Sequence, residues 1–237
     1  MGKVAFLFAG QGAQYPGMGK SLYDTSAAAR KVLDDAERLR PGTLQTCFEG
    51  DAQTLSQTIH TQPCLMAVDV ACAAVLMEAG VQPEALAGFS LGEIAALPVA
   101  GLLPFEAAFR LVMRRAGLMD DCARAQAGGM VAVLKLENEQ VEALCREAGA
   151  YPANYNSPGQ VVCAGTQDAL ATLQEQAKAA GGRALPLAVS GGFHSPLMHE
   201  AAAGLLVEAQ KLSFAQPALP LYANRSNEPY TPQDAAA

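Results

Sequence analysis

The sequence predicts an α/β layer fold that carries a smaller inserted unit, and three observations predict it. First, a short apolar run, Ala85-Leu86-Ala87, leads into Gly88-Phe89-Ser90-Leu91-Gly92, and a helix-like Glu93-Ile94-Ala95-Ala96-Leu97 follows. Strand, sharp turn and helix in that order are the setting in which a G-x-S-x-G pattern exposes a serine hydroxyl. Second, the stretch from Gln62-Pro63 to Gly80 is apolar on nearly every side, as a helix buried in the body of a domain is. Third, the middle of the chain alternates as β-α-β-β-α-β, the ferredoxin-like arrangement.

Each element has its own signal. Val4 to Phe8 reads as a first buried strand. Ala27 to Arg40 reads as a helix with Val32, Leu33, Ala36 and Leu39 on one face, stopped by Pro41-Gly42. Gln62-Pro63 opens the all-apolar helix. Pro98 is expected to kink or end the helix after the serine turn, and Pro104 opens another through about Cys122. Next come a strand over Gly129 to Leu136, a helix over Asn138 to Glu147 and a strand over Tyr151 to Asn156. A strand over Gln160 to Ala164, a helix over Gln167 to Ala180 and a strand over Arg183 to Val189 complete the inserted pattern. The expected division is residues 1–124 with 191–237 for the larger part and 125–190 for the insert.

Composition bounds the function. The 237 residues are 51% hydrophobic and 16% charged, the mark of a folded chain with a sizeable core. A net charge of −7 argues against nucleic acid as a partner. The apolar run from Leu65 to Met77 carries Asp69 and is too short to span a bilayer, so no membrane role is expected. The six cysteines, Cys47, Cys64, Cys72, Cys122, Cys145 and Cys163, are scattered with no C-x-x-C, which suits reduced buried thiols and a cytoplasmic setting.

A serine nucleophile needs a base within hydrogen-bond reach. Of His60, His194 and His199, His194 has the informative context. It follows Gly191-Gly192-Phe193 and precedes Ser195-Pro196, a helix cap and first residue. A helix N-terminus there disfavours the imidazolium and keeps a neutral base available. His199 falls on the following helix, and His60 precedes a loop. His194 and His199 are not spaced i, i+4, so no metal site is expected. Gly10-Gln11-Gly12 follows the first strand but lacks the third glycine of a dinucleotide fingerprint. Loops at strand C-termini are where ligands meet an α/β sheet. There the backbone N–H groups of Gln11 and Leu91 can pair as an oxyanion hole. Adjacent helical positions lie about 100° apart, so Arg114 and Arg115 cannot both face inward. An inward Arg115 needs an anion, best a carboxylate held by both guanidinium nitrogens.

With these residues assembled, the chain resembles the malonyl-CoA:acyl carrier protein transacylases of type II fatty-acid synthesis, and it is similar to the acyltransferase domains of polyketide synthases. The resemblance rests on Gly10-Gln11-Gly12-Ala13-Gln14, Gln62-Pro63, Gly88-Phe89-Ser90-Leu91-Gly92-Glu93, Arg115, Asn154-Tyr155-Asn156-Ser157-Pro158-Gly159-Gln160 and Gly191-Gly192-Phe193-His194-Ser195. It implies an α/β-hydrolase-like larger subdomain with a parallel sheet, plus the inserted ferredoxin-like subdomain. It implies Ser90 and His194 as nucleophile and base, Gln11 and Leu91 as oxyanion donors, and Arg115 as the holder of the malonyl carboxylate. Gln62, Phe193, Asn156 and Met119 are implied to bind substrate, with the Phe193 ring crowding an α-methyl group. Malonyl-CoA is the implied donor and acyl carrier protein the implied partner. No cofactor is implied beyond the phosphopantetheine that the carrier bears.

Two departures accompany the match. Phe89 stands where the family has histidine, so a polar neighbour of the serine is lost and the pocket is retuned. Family members also continue for several tens of residues beyond Tyr230 to Ala237. The expectation is a truncated C-terminal part, and in the family that stretch supplies the backbone carbonyl that orients the histidine. Two rivals stand beside the transferase: a serine hydrolase, which has no use for Arg115, and a non-catalytic carrier-docking domain.

Overall fold

The computed structural model describes residues 2–231, so the terminal run 232–237 lies outside the described residues. The chain divides into two compact units, Met1–Gly117 with Leu205–Ala237, and Leu118–Gly204.

In the first unit, β1 (Ala5–Phe8) is followed by α1 (Lys20–Thr25), α2 (Ala27–Leu39), α3 (Thr43–Glu49), α4 (Ala52–Ser56) and α5 (Thr58–Glu78). Then come β2 (Ala85–Gly88), α6 (Leu91–Ala100) and α7 (Phe105–Ala125), which runs past the unit boundary. After α10 (His199–Ala209), β7 (Leu221–Tyr222) returns to this unit. Among the described residues these strands form a parallel sheet in the order β1-β2-β7. The elbow strand β2 is therefore central, and its C-terminal end is flanked by those of β1 and β7. Phe6, Phe8 and Leu86 from the sheet pack with Met66, Leu91 and Phe109 in one core. Each such side chain contributes roughly 1.5–3 kcal/mol on burial.

The helix expected to open at Gln62-Pro63 begins instead at Thr58. Pro63 thus sits inside α5, where it has no N–H to offer the Ile59 carbonyl. Arg40 takes over: its Nη2 donates to Ile59 O at 3.4 Å and lies 2.7 Å from His60 Nδ1. His60 is accordingly a helical residue held by Arg40, not a residue before a loop. By length and composition α5 could cross a membrane, but Thr61 to Val68 are all buried in this unit's core. Pro98 also lies within its helix. α6 continues to Ala100 and stops at Gly101, whose φ of 79° supplies the left-handed cap.

In the second unit the order is β3 (Gly128–Leu134), α8 (Asn138–Ala148), β4 (Tyr151–Ser157), β5 (Gln160–Thr166), α9 (Gln167–Ala179) and β6 (Arg183–Pro186). Among the described residues, these strands form an antiparallel sheet in the order β4-β5-β3-β6. Val131, Val133, Val161 and Cys163 pack on one side with Val141, Leu170 and Leu173 from the helices. β6 ends at Pro186 and not at Val189, with one further hydrogen bond to β3 from the Leu187 N–H to Met130 O at 2.9 Å. Cys145 and Cys163 Sγ lie 3.5 Å apart as free thiols.

Candidate active site

The turn after β2 is built by backbone crowding. A side chain on Gly88 would stand 2.0 Å from Gly92 C, and one on Gly92 would stand 2.2 Å from Phe8 O. Both contacts are with main chain and cannot relax, so only glycine fits. Ser90 sits between them at φ 53°, ψ −101°, immediately before α6. Such a conformation costs a non-glycine residue about 1–3 kcal/mol and persists only where its surroundings enforce it.

Those surroundings come from three directions. The Phe89 N–H donates to Phe8 O at 3.0 Å, tying the turn to β1. From beyond β7, Asn224 Oδ1 accepts the Ser90 N–H at 2.7 Å, and Asn224 Nδ2 donates to Gly88 O. The Asn224 N–H in turn donates to Glu93 Oε1 at 2.8 Å, and the Tyr230 hydroxyl donates to the same oxygen at 2.8 Å. The third direction is α7: Arg115 Nη2 donates to Ser90 Oγ at 3.0 Å.

Arg115 points inward while Arg114 stays exposed, 3.7 Å from Glu208, as the 100° step requires. Desolvation pushes the Arg115 guanidinium down to about 10, with the Glu93 carboxylate pulling the other way. It therefore remains a cation at neutral pH, but a poorly solvated one aimed at the serine hydroxyl. Leu91, fully buried, is the first residue of α6, so its N–H belongs to the turn that has no helical acceptor. The Gln11 side chain is locked on both ends: Nε2 donates to Thr58 Oγ1 at 3.1 Å, and Oε1 accepts from Gln62 Nε2 at 3.4 Å. Gln62 is itself fully buried. Phe89 is 47% exposed, and its ring edge lies against Gly10, where a side chain would stand 2.5 Å from Phe89 Cδ1.

His194 belongs to the second unit. It is exposed, at φ 58°. The next residue caps the following turn: Ser195 Oγ donates to Gly192 O at 2.6 Å and accepts from the Leu197 N–H at 3.3 Å. Pro196 opens that turn as a 3₁₀ segment, Pro196–Met198, before α10, as the Ser-Pro signal predicts. The preceding Phe193 is buried with Met119, Met130, Met198 and Ala201. Asn156 is exposed on β4, in a stretch where the register with β5 shifts. Among the described residues, the non-glycine positions with positive φ are Ser90, Lys135, His194 and Asn227. Two of these are the residues that motif reasoning nominates as nucleophile and base.

Sequence reasoning does not find Asn224, Glu93 or Tyr230 as a group. Glu93 is visible only as part of the motif. Asn224 lies in the turn-forming run Asn224-Arg225-Ser226-Asn227, which says nothing about a partner at residue 90. No group of three or more His, Cys, Asp or Glu side chains suited to a metal occurs among the described residues.

Comparison with known proteins gives a consistent set of likenesses. The family described as acyl transferase domain matches residues 5–237. A malonyl CoA-acyl carrier protein transacylase of Bacillus subtilis (strain 168) is 43% identical over 209 residues, 85% of this chain and 66% of the relative. A second Bacillus subtilis protein of that name is 34% identical over 237 residues, 97% of this chain and 59% of the relative. This chain thus spans about three fifths to two thirds of the length of those relatives. A malonyl-transacylase solved in complex with its holo type II polyketide synthase acyl-carrier protein superposes with a TM-score of 0.95 at 34% identity. The superposition covers 99% of this chain and 79% of that one.

Proposed function

Because the chain belongs to the acyl transferase domain family, we propose that it moves a malonyl group from malonyl-CoA to the phosphopantetheine thiol of an acyl carrier protein, through a malonyl ester on Ser90. The observation that carries this reading is the Arg115 guanidinium, 3.0 Å from the Ser90 hydroxyl and depressed by desolvation. A hydrolase or a plain acetyl-transfer enzyme has no use for a poorly solvated cation beside its nucleophile. A donor with a free carboxylate supplies its counter-ion.

In the reaction so read, Ser90 Oγ attacks the thioester carbonyl and its proton passes to His194. The Gln11 and Leu91 N–H groups hold the oxyanion. Collapse breaks the C–S bond, and the coenzyme A thiolate leaves with the proton from His194. The carrier thiol then attacks the serine ester and gives its proton to His194. Collapse forms the malonyl thioester on the carrier and returns the proton to Ser90 Oγ. Arg115 moves from the hydroxyl to the malonyl carboxylate when donor binds. Gln62, Phe193, Asn156 and Met119 are read as substrate-binding residues, the Phe193 ring crowding an α-methyl group. No cofactor is needed beyond the group carried by the partner.

The same reading takes the parallel-sheet part as an α/β-hydrolase-like subdomain, over 1–124 and 191–237. The β-α-β-β-α-β part, over 125–190, is a ferredoxin-like subdomain. It places the work in the cytoplasm, without nucleic acid or membrane.

The test mixes the protein first with malonyl-CoA and then with holo carrier, and follows both by intact mass. The expected result is a malonyl adduct on the protein that is absent from Ser90→Ala and passes to the carrier. Free malonate released without carrier would instead make the chain a hydrolase. Carrier binding without any acyl-protein would make it a docking domain.

A further inference from the structure

We propose that Asn224 is a positioning residue for Ser90, setting the direction of the nucleophile through a single side-chain amide that spans the elbow. The inference rests on the reading of Ser90 as nucleophile and adds to it a residue 134 positions downstream.

Ser90 needs φ near 53°, and glycine crowding alone does not choose that value; it only requires that Gly88 and Gly92 lack side chains. The choice is made by hydrogen bonds. Asn224 Oδ1 takes the N–H of Ser90 at 2.7 Å, while Nδ2 of the same amide gives to the carbonyl of Gly88. One planar group therefore fixes two peptide units on either side of Phe89, and with them the Cα–Cβ direction of Ser90. That direction is what keeps Oγ 3.0 Å from Arg115 Nη2.

The amide is itself anchored. It follows β7, which pairs with the elbow strand through Leu86–Leu221 and Ala87–Tyr222. A tight turn closes behind it, with the Ala223 N–H donating to Glu228 O at 3.0 Å and the Tyr230 N–H to Leu221 O at 2.8 Å. Glu93, in the first turn of α6, accepts from both the Asn224 N–H and the Tyr230 hydroxyl. The ring runs from β2 through Asn224 and Glu93 to α6 and back to Ser90. Only an amide serves at its centre, because one atom must accept and the other must donate. An ionised carboxylate there would accept from Ser90 but oppose the Gly88 carbonyl.

The experiment measures the second-order rate at which a fluorophosphonate probe labels Ser90 in the full chain, beside the thermal midpoint. Asn224→Ala should label about 100-fold more slowly than wild type, the scale of an ångström-level misplacement, with a thermal midpoint close to wild type. Asn224→Asp keeps the acceptor and the side-chain volume, and remains measurable should the alanine variant unfold. It should also label slowly at neutral pH and recover relative to wild type as acidification protonates the new carboxyl and restores the donor to Gly88. A purely structural role does not produce that pH-dependent recovery. Wild-type labelling rates in both variants would overturn the proposal. A wild-type Ser90 inert to the probe would overturn it together with the nucleophile reading. Labelling by the probe without acylation by malonyl-CoA would overturn only the malonyl reading, and the variant comparison would still decide the role of Asn224.

Discussion

The serine turn and the histidine loop hold the same unusual thing, a non-glycine residue at positive φ, by opposite means. At Ser90 the restraints are long-range. They come from β1, from α7 and from a segment more than 130 residues downstream. Around His194, Ser195 closes on Gly192 and Leu197 by short-range hydrogen bonds, while Phe193 anchors the loop in the second unit's core against Met119 and Met130. The difference teaches where each can fail. The elbow depends on hydrogen bonds assembled across the first unit, whereas the histidine loop depends on a local cap and on Phe193 seated in the second unit's core.

Four changes break or sharpen that contrast. The largest effect is expected at the elbow, where Arg115 meets the Ser90 hydroxyl. Arg115→Ala should lower the preference for malonyl-CoA over acetyl-CoA by about 30- to 5000-fold, as truncation of a buried charge partner typically costs about 2–5 kcal/mol. Competition between the two donors, read by intact mass, measures it. Next, Gly92→Ala forces a side chain onto the Phe8 carbonyl and should destabilise by about 3 kcal/mol in urea unfolding. Gly192→Ala meets the flexible end of Leu197 at 2.6 Å and should cost about 1 kcal/mol, because that side chain can turn aside. Equal losses at the two glycines would erase the contrast.

The third change concerns pH. Burial pushes the Asp69 carboxyl up to about 7, against the backbone N–H of Ala9, which pulls it down. The folded chain therefore keeps this proton to about pH 7, while the unfolded chain loses it near 3.8. Stability from this group is full below the lower value and is lost as pH rises through the upper one. Urea unfolding should show a decline on the order of 2–4 kcal/mol across that window, and Asp69→Asn should flatten it. The smallest effect is Ser195→Ala, which removes the cap of the 3₁₀ turn and should cost about 1 kcal/mol. That loss should leave probe labelling at Ser90 less affected than Asn224→Ala does.

What could be read from sequence follows the same line between local and distant causes. The elbow was legible because strand, glycine, serine, glycine and helix lie within a dozen residues, and each signal is local. The cap at Ser195-Pro196 was legible for the same reason. The start of α5 was not, since Pro63 imitates a helix opening. Only Arg40, from another element, shows how the chain passes it. Arg115 over Arg114 was legible as a choice of one, but not as a hydrogen bond to Ser90 Oγ. Asn224 was not legible at all, because its partner is defined by the parallel pairing of β2 with β7 and not by any spacing along the chain. Nor does any propensity place His194 at φ 58°; the glycines before it suggest a tight loop but assign the left-handed residue to themselves.

The proposed function stands or falls on Ser90 as nucleophile with His194 as its base. The most direct test is the single-turnover rate of malonyl-ester formation on Ser90, compared between wild type and His194→Ala at saturating malonyl-CoA. The account predicts a loss of about 100- to 10,000-fold, with the ester still mapping to Ser90. An unchanged rate in the variant would contradict it.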